Sequence, residues 1–259
     1  MKKIIKNPFE RKQKGSIVKL WIVCALCLFA SVLRAQTKEK IEWDYPIKPG
    51  MEQWMKFKSL EEMYQACQIP DNVLKQIETA SLVDICLNFP SPPLFPLFNY
   101  PQLAFMSYLY NFNGIRELIE RKDAGHYLLK KYVLMSLTDF NLLWPLHQQG
   151  EFVSQYKFIE AIITQPQIIS SLDAKDRMAL LKETLKKMDE KLEKDDLFGG
   201  YSLEINLWAI VTLLYCENKS LLQEHDQEKL QAAMDTGMFI DIDTDKIYQQ
   251  TKKYADENE

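Results

Sequence analysis

The chain has 259 residues, 47% of them hydrophobic, and carries 32 Lys and Arg against 36 Asp and Glu. Residues 1–35 hold eight of those bases and one of the acids, so the remainder keeps 24 against 35 and a charge near −11. An excess of that sign excludes nucleic acid as a partner in the absence of a local basic patch, and the basic pairs Lys130-Lys131, Lys186-Lys187 and Lys252-Lys253 read as solvated helix faces.

The uneven charge has a cause at the start of the chain. The first nineteen residues contain seven Lys and Arg and one acid, and fourteen uncharged residues follow, from Leu20 to Leu33. This is the order of an export signal, with residues 1–35 removed after Ala35 and the product periplasmic or secreted. Fourteen residues of helix span about 21 Å, short of a hydrocarbon core of roughly 30 Å, so no stable membrane span is expected after processing. Neither Cys24 nor Cys27 follows a small residue, which removes lipid attachment at either.

Residues 36–50 form a lead-in, extended because Tyr45 and Lys48 each precede a proline. From 51 to 259 amphipathic segments dominate and strict alternation is nearly absent outside Ile41 to Tyr45 and Met238 to Ile242, which predicts a single all-α domain, a multi-helix bundle or a stacked array of α-hairpins. Ser59 and Glu62 fit a capping box opening a helix that stops before Pro70. A short helix over 71–76 follows, and Thr79 is placed to cap 80–88. Five prolines between Phe89 and Pro101 then impose an aromatic loop.

Helices are predicted at 102–112, 115–121 and from Ala124 to about Leu137, with Asn113-Gly114 and Asp123 as punctuation. After Trp144-Pro145, a face made by Phe152, Tyr156, Ile159 and Ile163 ends before Pro166. Asp173 caps the clearest helix, whose stripe is Ala174, Met178, Leu181, Leu185, Met188 and Leu192. Gly199-Gly200 separates it from residues 203–216, apolar except for Glu204, Asn206 and Thr212 and therefore the expected centre of the domain. Asp226 caps a further helix closed by Gly237, and 244–254 form the last.

Between Tyr45 and Tyr132 the chain resembles a family of exported proteins of Gram-negative bacteria with no assigned activity. The residues that carry the likeness are Tyr45-Pro46-Ile47-Lys48-Pro49-Gly50 with Trp54, Ala66-Cys67-Gln68-Ile69-Pro70, Cys86-Leu87 with Pro90, Phe112 to Leu118, and Arg121 to Gly125. The resemblance implies export, helices and a paired use of Cys67 and Cys86, and it brings no catalytic residues. A bridge between these cysteines would close a loop of about twenty residues and contribute on the order of 3 kcal/mol; the other reading makes Cys67, Cys86 and Cys216 small buried hydrophobes.

Motifs of chemistry are few. No zinc-protease, nucleophile-elbow or phosphate-loop pattern occurs, and His126, His147 and His225 lack ligand spacing, so no metal or cofactor is expected. Asp241, Asp243 and Asp245 begin like a calcium loop, but Lys246 stands where the turn glycine belongs and Lys252 where the final acid belongs.

The candidate binding residues are Arg116 and Arg121, whose alternative is an exposed helix face self-paired with Glu120 and Glu117, and Phe95, Phe98 and Tyr100 of the proline loop, whose alternative is packing into the core. The function expected is binding of another macromolecule, protein or glycan, in the envelope or outside the cell, with no enzyme activity. A carboxylate-dependent envelope hydrolase is the alternative.

Overall fold

Capping, helix breaking and one apolar stripe per helix account for most of the architecture seen in the computed structural model, which describes residue 41, residues 43–90 and residues 95–258. The predicted export signal and residues 36–40 of the lead-in lie outside the described residues. So do residues 91–94 of the proline loop. Among the described residues there are twelve α-helices and no strand, so the all-α multi-helix bundle is the fold.

The helices are α1 (Leu60–Ala66), α2 (Asp71–Leu74), α3 (Thr79–Leu87), α4 (Pro101–Asn111), α5 (Asn113–Glu120), α6 (Ala124–Leu134), α7 (Leu146–Ile163), α8 (Pro166–Ser170), α9 (Ala174–Leu192), α10 (Asp195–Asn218), α11 (Gln227–Thr236) and α12 (Thr244–Glu257). The Ser59 side chain accepts from the amide of Glu62, as the capping box requires, while Glu62 reaches one residue further back and accepts from the amide of Lys58. Asp173, Asp226 and Asp243 each accept from amides of the first turn that follows them. Thr79 departs from its expected role: it is the first residue of α3, and its hydroxyl donates to Asp123 at 2.9 Å.

Helix α10 is the hub. Apolar almost all round, it packs most extensively against α9 and next against α7, and it buries Trp208, Ile210, Val211 and Leu214 at the centre of the core. By length and composition it could cross a membrane, yet here other helices cover it. Its first turn is offset by a kink at Gly199, whose φ of 63° few other residues adopt, so α9 and α10 turn back on each other as a hairpin. Gly237 closes α11 at φ 81°, where a Cβ would stand 3.0 Å from Trp208 and Pro101.

Smaller contacts fix the segment from Tyr45 to Tyr132. The Asn113 side chain accepts from the amide of Ile69 and donates to its carbonyl, while Gln68 accepts from the amide of Asn113 and donates to the carbonyls of Tyr64 and Asn111. Asn113 therefore begins α5 rather than interrupting the chain: its side chain ties the end of α1 to the junction of α4 and α5. The aromatic core above it joins Tyr45, Phe89, Tyr108, Phe112 and Phe158 with ring centroids 4.6–6.2 Å apart.

Candidate functional site

Helix α9 carries more inward than its apolar stripe. Beside Leu181, Leu185 and Met188 runs a second buried line, Leu180, Thr184, Lys187 and Lys191, at the same helical spacing. Lys187 is 2% exposed and Lys191 is fully enclosed, which corrects the reading of Lys186-Lys187 as a solvated pair: Lys186 is exposed and its neighbour is not. The cause is that α9 lies against both α6 and α10, so two of its faces are covered.

Each buried ammonium has partners, as desolvation demands. Lys191 Nζ lies 2.6 Å from both carboxylate oxygens of Glu160 on α7, which is equally enclosed. Glu160 Oε1 also accepts from the Tyr132 hydroxyl of α6 at 2.7 Å and from Asn206 Nδ2 of α10 at 2.8 Å. Four helices thus meet on one carboxylate. The rings of Tyr156 and Phe198 stand 5.7 and 5.5 Å from the Lys191 nitrogen. Burial pulls the Lys191 ammonium below its ordinary pKa, with Glu160 opposing that shift, and burial first and Glu160 second push the Tyr132 hydroxyl well up. Asn206 Oδ1, Tyr156 Oη and Ser202 Oγ are buried without a hydrogen-bond partner.

The same lysines support a surface. Lys187 donates to the carbonyl of Met135 at 2.5 Å and Lys194 to that of Leu137 at 2.9 Å, anchoring the start of the connection from α6 to α7. Further on, the amide of Leu143 donates to Asn141, and Gln149 donates to the carbonyls of Leu142 and Trp144. Underneath, Phe140, Trp144 and Phe152 form a triangle of rings 5.6–5.9 Å apart. On this braced loop Leu142 and Leu143 are 80 and 90% exposed, and Leu146, the first residue of α7, is 83% exposed. A groove of about 710 Å³ is lined by residues 138–142 and by Lys194, Asp196 and Leu197, with Phe140, Leu142 and Leu197 as its apolar lining.

The residues expected to bind sit elsewhere and do other work. Arg121 pairs with Glu117 at 3.0 Å, as the spacing predicts, but its other nitrogens donate to the carbonyls of Leu74 and Ile77 and to the Thr79 hydroxyl. It closes the end of α2 onto α3. Arg116 leaves Glu120 and donates to the carbonyls of Leu109 and Tyr110, capping α4. Phe95 is 1% exposed and its carbonyl accepts from Tyr201, while Phe98 and Tyr100 are half-buried, so the loop gives its rings mainly to the core. The sequence signal for the exposed leucines is three of them within five residues around Trp144-Pro145, where the proline prevents one helix from running through the segment.

Cys67 and Cys86 are fully buried thiols, not a bridge, in the structure, and Cys216 is exposed. Burial raises the Cys67 thiol to about 11 and the Cys86 thiol further. In the chain without residues 1–35, which keeps three of the five cysteines, we expect one thiol to react promptly with an alkylating reagent and three to react after unfolding without reductant; a count of one after unfolding would establish a Cys67–Cys86 bridge. Among the described residues no group of acids, histidines and cysteines could hold a metal ion. Asp243 serves as the cap of α12, and His126 lies 3.0 Å from Asp176. Comparison of the chain with protein families, with curated proteins and with solved structures found no match.

Proposed function

We propose that this is an exported α-helical protein that binds another protein, and that the surface formed by Leu142 and Leu143 of this loop with Leu146 at the start of α7 is where it does so. The observation that carries the reading is that these three leucines are held out by bracing below them. A loop free to collapse would turn such side chains inward; here five hydrogen bonds and a ring triangle keep the backbone in place. Covering one exposed leucine contributes about 1.5–3 kcal/mol, so the three together with the apolar lining of the groove offset a substantial part of the cost of association. Aliphatic side chains suit an apolar protein segment better than a sugar face, which prefers a bare ring, and Trp144 is half-buried. Glu160, the carboxylate with the fullest set of partners, is sealed from any substrate and lends no support to a hydrolase.

A photo-crosslinking residue at position 143 in intact producing cells is expected to give a discrete adduct, and the same residue at exposed Lys186 is expected to give none. Leu142→Ser with Leu143→Ser should reduce binding to the captured partner at least tenfold while leaving stability within about 0.5 kcal/mol, because both side chains are already in water. Equal labelling at the two positions, or no adduct at 143, would sink the proposal. An adduct of twice the chain mass would identify the partner as a second copy.

A further inference from the structure

The buried network places an amine, a carboxyl and a primary amide together where no water reaches them. Lys191 and Asn206 face each other across the α9–α10 hairpin, and Lys191 Nζ and Asn206 Nδ2 rest on the same oxygen, Glu160 Oε1, at 2.6 and 2.8 Å. Glu160, Lys191, Asn206 and Tyr132 are all fully enclosed.

We infer that Lys191 and Asn206 are sites of a self-catalysed covalent crosslink, an amide between Lys191 Nζ and Asn206 Cγ, with Glu160 as the proton carrier. In the apolar enclosure the ammonium passes its proton to the Glu160 carboxylate, leaving a neutral amine and a carboxylic acid. Burial favours that neutral amine. The Nζ lone pair adds to Asn206 Cγ, and the carbonyl electrons move onto Oδ1, while Nδ2, the leaving nitrogen, donates to the Tyr132 hydroxyl at 3.3 Å. Glu160 gives its proton to Nδ2 and takes one from Nζ. The Cγ–Nδ2 bond breaks, the carbonyl re-forms and ammonia leaves. Nothing is oxidised or reduced, and no co-reactant is needed. One carboxyl oxygen touching both nucleophile and leaving group is what the proton relay between them requires. Exclusion of water protects the amide from the competing hydrolysis.

The product staples the hairpin at its turn, and its signature is a loss of 17 Da. The full chain, produced with its own leader and purified, should be digested with trypsin after denaturation and weighed. A link blocks cleavage after Lys191, so residues 188–194 and 195–219 should appear as one branched species 17 Da lighter than the two peptides together, wherever the leader is cut. Quantitative recovery of free 188–191 and of unmodified 195–219 would overturn the inference, and this reading needs no variant to fold. Glu160→Gln should abolish the branched species; its persistence in that variant would overturn the role given to Glu160.

Discussion

Lys191→Met is expected to destabilise the protein by about 3–5 kcal/mol and to lower its melting temperature by roughly 10 °C, because it leaves the Glu160 carboxylate buried without a counter-ion. Tyr132 and Asn206 still donate to Glu160 in that variant, but two neutral donors do not replace a charge in a site without water. The companion measurement is Glu160→Leu with Lys191→Met, in which no charge is buried and the two apolar side chains fill a similar volume. It should recover a large part of the loss, giving a coupling of several kcal/mol in a double-mutant cycle. Denaturant unfolding of the processed chain reads both, and a single variant within about 1 kcal/mol of the parent would show that the pair is not enclosed. The figure holds for the unlinked chain, in which Lys191 is a free ammonium paired with Glu160; in a linked chain Lys191 carries no charge and the loss measured is that of the link.

Arg121→Ala is expected to be nearly as damaging, at about 2–4 kcal/mol, although its side chain reaches the surface in part. The guanidinium donates to two backbone carbonyls at the end of α2 and its approach to α3, and removing it leaves them without their charged donor. Arg121→Lys should recover little, since one ammonium cannot span the carbonyls of Leu74 and Ile77 and the Glu117 carboxylate in the same geometry. By contrast Arg116→Ala, which loses two exposed cap contacts, should stay within about 1 kcal/mol. If Arg121→Ala left stability unchanged while impairing partner binding, the residue would belong to a binding site after all.

The contrast between these two arginines shows where local reading stops. Glu117 and Arg121, four apart on one helix, form the pair their spacing predicts. Arg116 and Glu120 have the same spacing, but Arg116 turns to the end of α4, because carbonyls without helical partners stand close by and compete for its donors. Sequence spacing specifies which side chains can meet along a helix. It carries no information about acceptors brought in by another segment.

Helix content, most helix starts, the break at Gly199-Gly200 and the central place of α10 follow from the sequence alone, since caps, breakers and apolar periodicity act over fewer than ten residues. The proline loop was legible as a loop, and whether Phe95 faced water was not. The candidate sites depended on tertiary structure throughout. Lys187 and Lys191 are lysines on an amphipathic helix, and only the presence of neighbours on two of its faces turns them inward toward Glu160 and the Met135 carbonyl. Likewise Leu142, Leu143 and Leu146 are ordinary apolar residues until the braced backbone beneath holds them out. Burial is a property of what surrounds a side chain, and in a bundle those surroundings come from helices distant in the chain: Tyr132, Glu160, Lys191 and Asn206 lie on four different helices and meet at a single oxygen.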